Sequence, residues 1–150
     1  MLNVTTGRDR ITDLTGRASQ FVAGRGDGLL HVFAPHATAG LALVELGAGS
    51  DDDLEELLDR LIPRDDRYRH QHGSPGHGAD HLLPALVSPS LSVPVVGGRL
   101  ALGTWQSLVL VDPNVDNPDR EAPVVSPGLR CERLPAGPST GGIDGPSTGT

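Results

Sequence analysis

Apolar positions along the chain follow two alternating periods. Over Ile11 to Gly24, a short extended stretch gives way to Ala18, Phe21 and Val22 at helical spacing, which predicts an entry strand followed by a helix. Asp13 or Thr15 is placed to cap that helix. Gly24 to Gly28 reads as a turn, and Leu29 to Phe33 as a strand. Leu41 to Leu46 reads as its continuation or partner after the His36–Gly40 corner. Leu54, Leu57, Leu58 and Leu61 recur at spacings of three and four, so 51–62 is a helix, with Ser50 and the Asp run at its start and Pro63 as its stop. The acidic run is read as surface charge that compensates the helix dipole.

Residues 64–80 form a polar loop, and His81 to Val87 a helical turn carrying Pro84. Three strands follow, at Ser92–Val96, Leu100–Gly103 and Trp105–Val111, with Gly97-Gly98 as a two-residue hairpin turn. A last short strand near Val124-Val125, flanked by prolines, belongs at an edge. From Leu134 the composition shifts to Gly, Pro, Ser and Thr, with GPST occurring twice. Such a segment offers too little apolar surface to offset its ordering entropy. The expected organisation is one α+β domain over 1–130, a mainly antiparallel sheet or sandwich with two to three helices, and a disordered tail over 131–150.

Length and charge narrow the functional classes. At 150 residues there is room for one real core. No run of eighteen apolar residues exists, so a membrane helix is not expected. The polar start, with no signal-peptide layout, and a single cysteine, Cys131, argue for a reducing cytoplasm. A net charge of −7 disfavours nucleic acid as a partner. All twelve basic residues are arginine, which removes Schiff-base lysine chemistry, a P-loop lysine and a Ser–Lys dyad.

Histidine is the candidate chemistry. Four of the six histidines fall in HQHGSPGHGADH, between His70 and His81, and a fifth, His36, sits in the corner PHATAG. Imidazole is the commonest side-chain metal ligand, and a polar loop leaves it free of core duties. Glu45 follows on an otherwise apolar strand, where a carboxylate needs a partner. The spacing matches no zinc-finger pattern, so metal ligation and solvated loop histidines both stay open on the residues alone. Trp105 is expected to pack, with Thr104 and Gln106 on the opposite face of its strand.

Longer motifs add to this. Ser90-x-x-Val93-x-Val95-x-x-Gly98-x-x-x-x-Gly103-Thr104-Trp105-Gln106-x-Leu108 resembles the signature of the YjbQ-like family, also called the secondary thiamine-phosphate synthase family. ITDLT at 11–15, PHATAG, Val44-Glu45, Tyr68-Arg69-His70 and Ala79-Asp80-His81-Leu82 look like its upstream elements, so the resemblance runs from about residue 3 to residue 128. It implies an α+β fold assembled as a homotrimer, with a site near subunit contacts. His36, His70 and His81 are then the ligands of a divalent metal, zinc being the first candidate. By the same resemblance His36 and Glu45 serve catalysis, while Thr38, Thr104, Gln106 and Arg120 contact a small phosphorylated or anionic substrate. The implied activity is a metal-assisted transfer of thiamine-phosphate-synthase type; the alternatives are a non-catalytic trimer that binds metal or an anionic metabolite, and a purely structural trimer. Ala37, Val44, Asp119 and Glu121 depart from the family pattern and remove hydrogen-bonding or cationic groups. His72 and His77 carry no family role.

Overall fold

The computed structural model describes residues 9–65, 67–70 and 72–116. In chain order these form β1 (Ile11–Asp13), α1 (Thr15–Val22), β2 (Gly28–Phe33), β3 (Gly40–Val44), α2 (Ser50–Leu61), α3 (His77–Asp80), α4 (Leu83–Leu86), β4 (Ser90–Val96), β5 (Arg99–Leu100) and β6 (Ser107–Val111). The strands make two three-stranded sheets, β1-β6-β3 and β2-β4-β5, with every pairing antiparallel. This is the expected α+β architecture, with helices α3 and α4 only a single turn each.

β6 explains how the layers stack. Its sequence Leu108-Val109-Leu110-Val111 is apolar at every position because both faces are covered. Leu108 and Leu110 face a core shared with Leu30, Val32 and Val95 of the other sheet, with Leu14 just before α1, and with Ala18 and Val22 of α1. Val109 and Val111 point the other way, onto Leu58 of α2 and Leu83, the first residue of α4. Full burial of each such side chain is worth about 1.5–3 kcal/mol. The α+β layers are therefore sheet, sheet and helix, with β6 in the middle.

Local details follow from single residues. Asp13 accepts a hydrogen bond from the Thr15 N–H at 2.8 Å at the start of α1, whereas Thr15 opens the helix rather than capping it, its hydroxyl accepting from the Leu108 N–H of β6 at 2.9 Å. Gly97 and Gly98 have φ of 57° and 75°, the pair of positive values that a tight hairpin of this hand requires. Pro94 keeps its place in the central strand because its carbonyl accepts from Ala101 on the β5 side, so its missing donor also faces that very short strand.

Five expectations differ from the structure. β3 is neither the continuation nor the partner of β2: it pairs with β6 in one sheet, while β2 pairs with β4 in the other. α2 begins at Ser50 after a left-handed Gly49, with no side-chain cap, so Ser50 opens the helix rather than capping it. Its buried side is Leu54, Leu58 and Ile62, while Leu57 and Leu61 face outward at 44% and 59% exposure. The strand expected at Leu100–Gly103 ends at Leu100. Trp105 lies in a turn and is 72% exposed, not packed in a strand, because Gln106 donates its N–H to the Gly103 carbonyl and accepts from the Gly103 N–H through Oε1. The strand near Val124-Val125, the tail and Arg120 lie outside the described residues. Among the described residues no helix is long and apolar enough to cross a membrane.

Candidate functional site

The polar loop folds back on itself over α3. His77 opens that single turn and His81 follows it by four residues, a spacing that stacks two side chains on one face. Their Nε2 atoms lie 3.0 Å apart. The segment through Tyr68 and His70 returns across the turn, placing the His70 ring centroid 4.4 Å from His81 and 4.1 Å from His72. His72 in turn lies 4.9 Å from His77. This approach depends on Gly78, where a Cβ would stand 2.8 Å from Tyr68 Cβ and 3.1 Å from the His70 carbonyl oxygen.

One nitrogen from each of His70, His72, His77 and His81 falls within 4.8 Å of every other. Two imidazole nitrogens at ~2.0–2.1 Å from a tetrahedral zinc stand about 3.3 Å apart. The His77–His81 separation is close to that value, and an all-imidazole donor set suits zinc and its transition-metal neighbours better than calcium or magnesium. The residues present therefore fit a divalent transition metal. The same 3.0 Å also suits one neutral imidazole donating to another.

Carboxylates support the cluster from behind. Asp80, 1% exposed, is ion-paired to Arg64, whose guanidinium also donates to the Pro113 carbonyl at 2.6 Å. Burial pushes the Asp80 carboxyl up, against the opposing pull of Arg64 and His77. The segment after β6 is a ladder of side-chain turns. Asp112 accepts from the Asn114 N–H at 3.2 Å, and Asn114 from the Asp116 N–H at 2.7 Å. Asp116 accepts from the Ser74 N–H at 3.1 Å and holds Oδ2 3.0 Å from His77 Nδ1. The Ser74 backbone bond is the main reason the Asp116 carboxyl sits below its ordinary range. His70 is shifted down, first by desolvation and then by charge on His72 and His77, so it resists protonation.

Two clefts meet at the cluster. One, of about 430 Å³, is lined by His36, Thr38, His72, His77, His81, Asn114 and Asp116. The other, of about 460 Å³, is lined by Asp65, Tyr68, His70, His72 and the Gly73–Gly78 stretch. Of the expected ligands, His70 and His81 stand in the four-histidine group, while His36 borders the first cleft outside it. Thr38 is buried on that wall and donates to Asp112 Oδ1 at 3.3 Å. Glu45 is exposed just past the end of β3 farthest from His36 and Thr38, about 17 Å along an extended strand from Gly40. Thr104 and Gln106 are exposed in the turn before β6, at the end opposite Asp112. Within one chain, then, Glu45, Thr104 and Gln106 do not join the histidines.

His72 and His77, which the motifs left without a role, are members of the cluster, and Asp80, Asn114 and Asp116 join them. The i, i+4 spacing of His77 and His81 was the available signal for one pair. His31 stands apart, bonded through Nδ1 to Ser92 Oγ at 2.9 Å across β2 and β4.

Comparison with known proteins identifies chains similar to this one. The family described as UPF0047 protein YjbQ-like matches residues 1–126. A UPF0047 protein of Mycobacterium bovis is 65% identical over 120 residues, covering 80% of this chain and 93% of that one. The Bacillus subtilis protein YugU is 34% identical over 69% of this chain and 80% of its own length. A crystal structure of a hypothetical protein from Aeropyrum pernix superposes with a TM-score of 0.73 at 32% identity, over 86% of this chain and 96% of that one. A Clostridium acetobutylicum protein of the yjbq/upf0047 family gives 0.71 at 26% identity, over 85% and 98%.

Proposed function

The chain belongs to the YjbQ-like UPF0047 family, and from that premise we propose that it binds a divalent transition metal, zinc by preference, and uses it on a small phosphorylated or anionic ligand. The observation that carries the reading is the convergence of His70, His72, His77 and His81 within ligand distance of one another. His77 and His81 form the anchored pair, set on one turn and backed by carboxylates. His70 and His72, both exposed, supply the remaining nitrogens, and a position stays open for a ligand whenever only one of them is engaged. Bound there, the ion would supply Lewis acidity to an oxygen of the ligand. The chain's own residues bind and orient that ligand, with His36 and Thr38 on the facing wall. His36, the one imidazole on that wall outside the cluster, is the group best placed to accept or return a proton.

The specific reaction proposed is transfer of thiamine-phosphate-synthase type, in which a pyrimidine diphosphate is joined to a thiazole phosphate with loss of pyrophosphate. Such a leaving group calls for positive charge. Among the described residues no arginine lines the first cleft, which favours, as the second reading, a module that binds metal and an anionic metabolite without turnover. A homotrimer in the cytoplasm belongs to the same proposal. Leu57, Leu61, Leu82 and Leu86 offer exposed apolar surface for association, and Glu45 and Gln106 would reach a site only across such a contact. Pyrophosphate release from the paired substrates, with and without zinc, tests the enzyme reading. Zinc-dependent release that His36→Ala abolishes supports it, and zinc binding without release leaves the binding module.

A further inference from the structure

His77 is the most enclosed of the four clustered histidines, and its two nitrogens face different chemistry. Nε2 looks toward His81 Nε2 at 3.0 Å. Nδ1 is buried without an aligned hydrogen bond, although Asp116 Oδ2 lies 3.0 Å away and Asp80 Oδ2 3.9 Å away. Asp80 Oδ2 is itself buried without a partner, its other oxygen being held by Arg64. Buried donors and acceptors left in this state are costly. A neutral imidazole carrying its proton on Nδ1 removes the cost by pointing a donor at the two carboxylates. The other tautomer would set a lone pair against two negative charges.

We propose that Asp116 is a positioning residue that, backed by the Asp80–Arg64 pair, fixes His77 in the Nδ1–H tautomer and so presents the Nε2 lone pair to the cluster. The inference rests on the metal reading above, since its consequence is a ligand already in its binding form. Carboxylates on the far nitrogen of a ligating histidine set its orientation and basicity, and their loss costs about 10–100-fold in metal affinity. Asp116 comes from the segment after β6 and reaches His77 through the turn anchored by Ser74, so the strand scaffold sets the ring angle.

The test compares wild type with Asp116→Asn, which keeps an oxygen for the Ser74 N–H, and with Asp116→Glu, which restores the charge. Long-range proton–nitrogen correlation spectra of the metal-free protein, recorded well above the ordinary imidazole pKa of ~6.5, report the His77 tautomer directly. The expected result is Nδ1–H in wild type, a shift toward Nε2–H in Asp116→Asn, and recovery in Asp116→Glu. Zinc affinity should fall tenfold or more in Asp116→Asn and return in part in Asp116→Glu. Nε2–H in wild type, or an unchanged tautomer in Asp116→Asn, overturns the inference whatever the metal does. A wild type that holds Nδ1–H yet binds no zinc would instead overturn the metal reading and leave the positioning intact.

Discussion

Gly78→Ala separates the geometry of the cluster from the stability of the fold. Gly78 sits within α3, where alanine is the better helix former by about 1 kcal/mol. Yet its new Cβ would meet Tyr68 Cβ at 2.8 Å and the His70 carbonyl at 3.1 Å. Carbon atoms in ordinary contact stand about 3.5–4.0 Å apart, so the Tyr68–His70 segment must retreat by roughly 1 Å. Overpacking of this kind costs about 1–3 kcal/mol. Set against the gain in helix propensity, the metal-free protein loses up to about 2 kcal/mol, a fall of roughly 4–8 °C in melting temperature for a chain of this size. Metal ligation tolerates only about 0.2 Å of error, so moving His70 by five times as much should cost at least tenfold in zinc affinity. Thermal unfolding of the apo protein and calorimetric zinc titration give the two numbers separately. Zinc binding as tight as wild type, with the apo fold also intact, would refute the claim that the return of this segment over Gly78 assembles the site.

Other expectations test the remaining parts. His77→Ala and His81→Ala should lose zinc by titration, His70→Ala and His72→Ala should weaken it, and Glu45→Gln should leave metal content unchanged; equal loss in all five would count against the cluster. Because the His70 pKa is lowered on folding, the folded chain binds fewer protons there than the unfolded chain as pH falls through ~6.5. Stability present above that pH is therefore lost below it, so urea midpoints of metal-free protein should fall between pH 8 and pH 5.5, and His70→Gln should flatten the slope. Leu108→Ala and Leu83→Ala should each cost about 2–5 kcal/mol by denaturant unfolding. Lying on opposite faces of β6's sheet in separate clusters, they should add to within about 0.5 kcal/mol; strong coupling would contradict the layered core. Light scattering should give three times the mass of one chain, and a monomer at micromolar concentration would remove the proposed trimer.

Local signals in the chain were legible where neighbours in sequence settle the structure. Gly97-Gly98 specifies its own turn through two positive φ angles, and Asp13 with Thr15 marks the start of α1. Leu54 and Leu58 place α2 on the sheet, but a stripe of four leucines cannot say that Leu57 and Leu61 fall past the edge of what the sheet covers. Trp105 was misplaced because the amide of Gln106 closes a turn on Gly103, an interaction that alternation does not encode. The site was legible as a group of histidines and not as a geometry. His72 and His77 enter it through contacts distant in sequence: Arg64 with Asp80 and Pro113, and Ser74 with Asp116. Motif matching weighted His36 and Glu45 by position, whereas the folded chain sets one across the cleft and the other at the far end of β3.

X-ray absorption at the zinc edge of stoichiometrically loaded protein tests the central claim most directly. The account predicts one zinc per chain with an all-nitrogen/oxygen shell at ~2.0–2.1 Å and the multiple scattering of at least three imidazoles. That signature should vanish in the His77→Ala, His81→Ala double variant. A chain that takes up no zinc, or a zinc shell unchanged when both residues are removed, would contradict it.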